Sequence, residues 1–218
     1  MNDRLVARLL VLLAAAAGCL DALCVARLGG PFASVITGNL VQLGGGIGTL
    51  NGRLALSCGV ALAGYSLGVA AGAVGLRRSD PGWGRRTGRV LVVELLLVCA
   101  VVAGWLVADG RPGSTAAWWL LGVAAASMGV QSVVTLASGL SQASTTYLTG
   151  TLTGIIRDLI EEPRRYASSG PGALRLLALL CGATAGAVLL RVAPLWAPVL
   201  SAALVAVVLA VVVASGRR

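Results

Sequence analysis

Histidine and lysine are both missing from this chain of 218 residues, and charge of either sign is scarce, at 11% of the sequence. Without histidine, imidazole-based triads, imidazole zinc ligands and imidazole proton relays are excluded. The five cysteines, Cys19, Cys24, Cys58, Cys99 and Cys181, all fall in apolar stretches without CxxC spacing, which argues against a metal site and against a disulfide framework. No Gly-rich phosphate loop, nucleophile elbow or paired-carboxylate hydrolase pattern occurs. The expectation is therefore a protein that is not an enzyme and that holds no cofactor and no metal. A net charge of +9 suggests nucleic acid at first sight, but the arginines punctuate hydrophobic segments and build no basic face, so nucleic acid is not expected as a partner.

Apolar residues are what the chain does have, at 57%. Uncharged runs extend over Leu28 to Gly52, Leu54 to Leu76, Pro112 to Ile156 and Val192 to Gly216. Each meets or approaches the roughly 20 residues a bilayer-spanning helix needs. The predicted fold class is all-α, a polytopic transmembrane bundle with spans near 5–27, 54–76, 88–108, 116–137, 172–191 and 195–214. Two shorter apolar segments, near 33–50 and 144–160, remain. The N-terminus imitates a targeting signal: Arg4 and Arg8 precede an apolar run, and Ala16-Ala17-Gly18-Cys19 faintly resembles a lipoprotein cleavage box. The run continues to Ala26, which is the length of a span.

Charge asymmetry chooses between topologies. If both short segments dip in and return, and the N-terminus is inside, thirteen arginines are cytoplasmic: Arg4, Arg8, Arg77, Arg78, Arg85, Arg86, Arg89, Arg157, Arg164, Arg165, Arg175, Arg217 and Arg218. Arg27, Arg53, Arg111 and Arg191 face outward. The positive-inside bias favours this six-span arrangement, a multi-pass plasma-membrane protein with both termini cytoplasmic. It also gathers Trp105, Trp118, Trp119 and Trp196 at the outer interface.

Internal repetition is visible beneath the hydropathy. Thr37-Gly38-Asn39-Leu40 matches Thr149-Gly150-Thr151-Leu152 at an offset of 112; Gly18 matches Gly129 at 111, and Gly68 and Gly72 match Gly182 and Gly186 at 114. Three spans per half is an odd number, so the halves, 1–110 and 111–218, are expected as a 3+3 inverted repeat with two broken or re-entrant segments. Gly64, Gly68, Gly72, Gly182 and Gly186 read as close helix packing.

Those phrases also resemble a known family. Gly18 through Asp21-Ala22 and Phe32 to Thr37-Gly38-Asn39-Leu40 and Gly44 looks like the first signature of the YoaK-like membrane proteins, the DUF1275 family. Gly129 and Gln131 through Thr145-Thr146 to Thr149-Gly150-Thr151-Leu152-Thr153 is similar to the second. Ser132-Val133 stand where that signature usually carries Asn-Ala. The resemblance covers nearly the whole chain and implies an integral membrane protein of uncharacterised activity.

Two Thr-Gly phrases opening half-helices from opposite sides would aim free N–H groups and helix-dipole charge at one midplane point. The candidate solute-binding residues are Thr37, Gly38, Asn39, Thr149, Gly150 and Thr151, with Asp21 as coupling carboxylate and Gln131 as a polar contact. Alternatively each phrase caps a helix or turns the chain at the membrane surface. Asp21 reads equally as a structural hydrogen-bond acceptor or a partner for Arg27, and Glu94 as a partner for Arg89 or Arg86. Gln131 with Ser127 and Thr135 forms a polar stripe that suits a solute path or an ordinary helix interface. Asp158, Glu161, Glu162, Arg157, Arg164 and Arg165, ending at Pro163, read as a solvated turn. The functional expectation is a small-solute transporter or channel, with anionic solutes favoured by the helix ends and Asp21 able to reverse that preference. Its partners are the lipid bilayer, an unknown small solute and, as an option, a second copy of the chain. The rival is a non-transporting scaffold or regulatory protein of the membrane.

Overall fold

Apolar runs ended by arginine, glycine or asparagine dictate long helices with sharp stops. The structure, a computed structural model, describes residues 1–77, 82–140, 148–161 and 166–216; Arg78, Thr145, Thr146, Glu162, Pro163, Arg164, Arg165, Arg217 and Arg218 lie outside it. In order, α1 is Asp3–Arg27, α2 Ile36–Gly48, α3 Gly52–Leu76, α4 Arg85–Val107, α5 Ser114–Leu136, α6 Leu148–Glu161, α7 Tyr166–Val192 and α8 Ala197–Ser215. A 3₁₀ turn, Pro194–Trp196, precedes α8. No strand occurs among the described residues. Among the described residues, six helices are long and apolar enough to cross a membrane: α1, α3, α4, α5, the Gly170–Val192 part of α7, and Pro194–Ser215. They coincide with the predicted spans to within a few residues.

Local chemistry fixes the helix starts. The Asn2 side chain accepts from the Arg4 N–H at 3.0 Å and the Asn51 side chain from the Leu54 N–H at 3.2 Å, each satisfying a donor that the first turn leaves free. At α4 the Thr87 hydroxyl accepts from the Gly84 N–H at 3.1 Å. Between α2 and α3 the chain reverses through Leu50, at φ 56°, and the Asn51 N–H returns to the Gly46 carbonyl at 2.8 Å.

Contacts fix the helix directions. Cβ atoms built on Gly182 and Gly186 would meet Ala15 and Cys19, so α1 and α7 run parallel; those on Gly64 and Gly68 would meet Gly122 and Ala126, so α3 and α5 run parallel. Ser201 bonds the Ala16 carbonyl and Cys19 faces Ala197, which sets α8 antiparallel to α1. Gly88 against Val212, and Gly104 against Leu120, set α4 antiparallel to both α8 and α5. The spans thus alternate in direction through the chain. One end of the bundle, called here the basal end, gathers the start of α1, the end of α3, the start of α4 and the ends of α5 and α8; the opposite end is apical. Because α1 and α3 run oppositely, the segment between them leaves and returns at the apical end. By the same reasoning the segment between α5 and α7 returns at the basal end. With 13 and 14 residues, α2 and α6 are about 20 Å long at ~1.5 Å per residue, well short of a ~30 Å hydrocarbon layer.

The packing carries a numerical regularity. A Cβ on Gly18 would lie 2.1 Å from the Leu179 carbonyl oxygen, and one on Gly129 2.2 Å from that of Tyr65. Likewise Gly68 would approach the Ala126 oxygen at 2.0 Å and Gly182 that of Ala15 at 2.0 Å. In both cases α1 maps onto α5 at an offset of 111 and α3 onto α7 at 114, the same offsets as in the sequence. Backbones touch at these points because glycine places nothing between them. Apolar residues fill the rest: one buried cluster centres on Leu20, Leu23, Trp105, Leu121 and Met128, another on Leu10, Leu13, Leu91, Val205 and Val208.

Of the four tryptophans expected at one interface, all lie toward the apical end, with Trp119 and Trp196 exposed. Trp105 differs. Its ring is fully buried and its Nε1 donates to the Pro194 carbonyl at 2.9 Å, so it anchors the α7 to α8 turn.

Candidate functional site

Asp21 sits six residues before the end of α1, about 9 Å back along the helix. Beyond Arg27 the chain turns through Gly29 and Gly30, at φ 110° and 103°, values open to glycine and strained for other residues. That turn sends the chain back beside α1. There the Ser34 N–H donates to Asp21 Oδ1 at 2.9 Å and the Ser34 hydroxyl donates to Oδ2 at 2.5 Å. From the other side Asn39 grips the same loop: its Oδ1 accepts from the Phe32 N–H at 2.8 Å and its Nδ2 donates to the Phe32 carbonyl at 2.7 Å. Asp21, Ser34 and Asn39 are all buried. Two of the predicted site residues therefore converge on one object, the re-entering loop before α2.

The Thr-Gly phrase lies inside α2. The helix opens at Ile36 after Val35, which makes no side-chain cap; Thr37 and Gly38 occupy the first turn, Thr37 exposed. The chain breaks at Gly29 to Val35, several residues earlier than the phrase. In the second half Thr149, Gly150 and Thr151 likewise lie in the first turn of α6, with Thr149 and Gly150 exposed and Thr151 buried. The main packing partner of α2 is α3 and that of α6 is α7. The first phrase belongs to the apical excursion and the second to the basal one. Fully buried Leu10, Leu13, Leu20, Leu121 and Met128 occupy the interior of the bundle.

Gln131 lies deeper than Asp21. It is fully buried, and its Nε2 donates to the carbonyl of Leu13 on α1 at 3.2 Å. The flanking hydroxyls bond back to their own helix, Ser127 to the Ala124 carbonyl at 2.7 Å and Thr135 to that of Ser132 at 2.9 Å. The Tyr65 hydroxyl and that of Ser132 pair at 2.7 Å, joining α3 to α5. Within the stripe, Gln131 bonds helix to helix, while Ser127 and Thr135 bond along α5.

Glu94 has a different environment. It is fully buried nine residues into α4, about 14 Å from the helix start, and neither carboxylate oxygen has a hydrogen-bond partner among the described residues. The arginines weighed as its partners are elsewhere: Arg86 Nη1 donates to the Arg77 carbonyl at 2.6 Å, and Arg89 is exposed. Asp21, likewise, is taken by Ser34 and not by Arg27. Within the basal charge cluster, Arg157 Nη2 lies 3.4 Å from Asp158 Oδ1, on an exposed face.

Three features escaped the sequence reading. Ser34 carries no periodic relation to Asp21, since the two meet only across a turn. Trp118 Nε1 donates to Ser57 Oγ at 3.0 Å, tying the apical ends of α5 and α3. Arg175, counted from sequence among the cytoplasmic-side arginines, is only 3% exposed on α7.

The family model described as "Protein of unknown function (DUF1275)" matches residues 9–211. No curated protein and no solved structure matches the chain.

Proposed function

The chain belongs to the DUF1275 family, and we propose that it is a small-solute transporter of the plasma membrane, built as a 3+3 inverted repeat with α2 and α6 as re-entrant helices. The observation that carries this reading is Glu94, wholly buried in a membrane-spanning helix with neither oxygen bonded to any described residue. An ionised carboxylate in such a place is expensive, so a proton or a cation accompanies it, and membrane proteins keep such groups chiefly where an ion or proton travels. The repeated glycine contacts, at offsets of 111 and 114, are what two halves related by a twofold axis in the membrane plane would produce. Glu94 serves as the coupling group. Asp21 and Asn39 latch the apical re-entrant loop, and rocking of the α1–α7 pair against the α3–α5 pair opens the solute path. The basal end, with Arg4, Arg8, Arg77, Arg85, Arg86 and Arg89, faces the cytoplasm by the positive-inside rule.

The test begins with purified protein screened for thermal stabilisation by pools of small carboxylates, phosphates and neutral polar solutes, because a bound ligand raises apparent stability by mass action. Stabilising solutes are then offered to proteoliposomes carrying a proton or sodium gradient. Gradient-driven accumulation that disappears in Glu94→Gln, with unchanged insertion, supports the reading. A protein that neither responds to any pool nor moves solute overturns it.

One observation favours the second reading, a membrane scaffold or regulator. The interior of the bundle is packed with aliphatic side chains. A scaffold would tolerate Glu94→Gln and Asp21→Asn in cells with no loss beyond stability.

A further inference from the structure

At the basal end the start of α4 crosses the end of α8 and leaves a groove of about 290 Å³. Its mouth carries Arg85 and Arg89; its floor is Val92, Val212 and Val213. The arginines are four apart, hence on one face of α4. Both are exposed, and neither makes a hydrogen bond or ion pair with the described residues, whereas the neighbouring Arg86 is committed to the Arg77 carbonyl. Among the described residues no acidic side chain lines the groove. The start of α4 adds the positive end of its helix dipole. Depth comes from Gly88: a Cβ built there would sit 3.8 Å from Val212 Cγ1 and 3.9 Å from Val213 Cγ2, so any longer side chain would project into the space.

We infer that this groove is a binding site for an anionic glycerophospholipid of the basal leaflet. Its phosphate pairs with Arg85 and Arg89, and one acyl chain lies over Val92, Val212 and Val213. Two features select this occupant. Paired uncommitted guanidinium groups at a membrane surface match a phosphate diester with geometric fit as well as charge. The apolar floor, continuous with the lipid-facing sides of α4 and α8, would be wasted on a free anion and suits an acyl chain. Neither feature depends on whether the protein transports anything.

The full-length protein in detergent micelles is melted with added phosphatidylglycerol, phosphatidylcholine or inorganic phosphate. Phosphatidylglycerol is expected to raise the melting temperature in a saturable way, and the other two are not. In the double variant R85Q/R89Q the half-saturating phosphatidylglycerol concentration should rise at least tenfold, at about fivefold per arginine near a membrane surface. R27Q/R53Q, at the apical end, should leave it unchanged. Gly88→Leu, which fills the groove and keeps both arginines, should weaken the response as well; if that variant does not fold, the arginine pair decides alone. An undiminished response in R85Q/R89Q, an equal response to phosphatidylcholine, or full stabilisation by inorganic phosphate each overturns the assignment.

Discussion

Ser34 gives both of its donors to Asp21, the backbone N–H to one carboxylate oxygen and the hydroxyl to the other, across a turn of thirteen residues. This pair holds the Phe32 to Val35 segment against α1 below the apical rim. Asp21→Asn preserves shape, but the Ser34 hydroxyl must turn to accept from the new amide, and the stronger bonds to a carboxylate become neutral ones. The expected cost is about 1–3 kcal/mol. Hydrogen exchange checks it: amides between Phe32 and Asn39 should lose protection in Asp21→Asn and in Ser34→Ala, while those of α5 keep theirs.

Glu94→Gln removes no hydrogen bond to the described residues, because the wild-type carboxylate makes none with them. Its melting temperature should match or exceed that of the wild type, in contrast to Asp21→Asn. A hydrophobic carbodiimide, which modifies protonated carboxyl groups within lipid, should label the wild type at Glu94 and leave the variant unlabelled there, as read by peptide mass spectrometry. Labelling confined to other carboxylates would remove Glu94 as the coupling group.

Glycine contacts give a paired prediction. Gly68→Ala and Gly182→Ala each force a methyl group to 2.0 Å from a carbonyl oxygen, so both should destabilise by about 1–3 kcal/mol or more and by similar amounts. Gly59→Ala on α3, with open space around it, should be neutral or mildly stabilising, since alanine favours the helix. Unfolding titrations of the three variants measure the differences.

Tyr65→Phe breaks the hydroxyl pair with Ser132 that joins α3 to α5. Hydrogen bonds between membrane helices average ~0.6 kcal/mol, so the expected loss is below about 2 kcal/mol. A double-mutant cycle with Ser132→Ala should return a coupling of that size, and a coupling of zero would mean the pair is not formed.

The spans were legible because a run of some twenty apolar residues bounded by arginine has one stable place in a bilayer. The glycine spacings were legible too: Gly18 and Gly129, and Gly68 and Gly182, sit where backbones meet, so spacing in sequence became spacing in contact. What escaped was the position of the break. Thr37-Gly38 reads as an interruption, yet glycine and threonine are tolerated in a first helical turn, and the chain reverses at Gly29 and Gly30 instead. Partners across distance were also hidden: nothing in the sequence connects Gln131 to the Leu13 carbonyl, 118 residues away. Asp21 and Asn39 were singled out together from sequence, and both hold the same loop; the sequence could not say which atoms they grip.

The glycine seams divide the bundle mechanically. Where α1 lies on α7 and α3 on α5 backbone to backbone, no layer of side chains remains that could re-sort, so each pair moves as one stiff plank. Freedom is left to the junction between planks, and there the Gln131 amide on α5 meets the Leu13 carbonyl on α1. The rocking proposed above would turn on that bond.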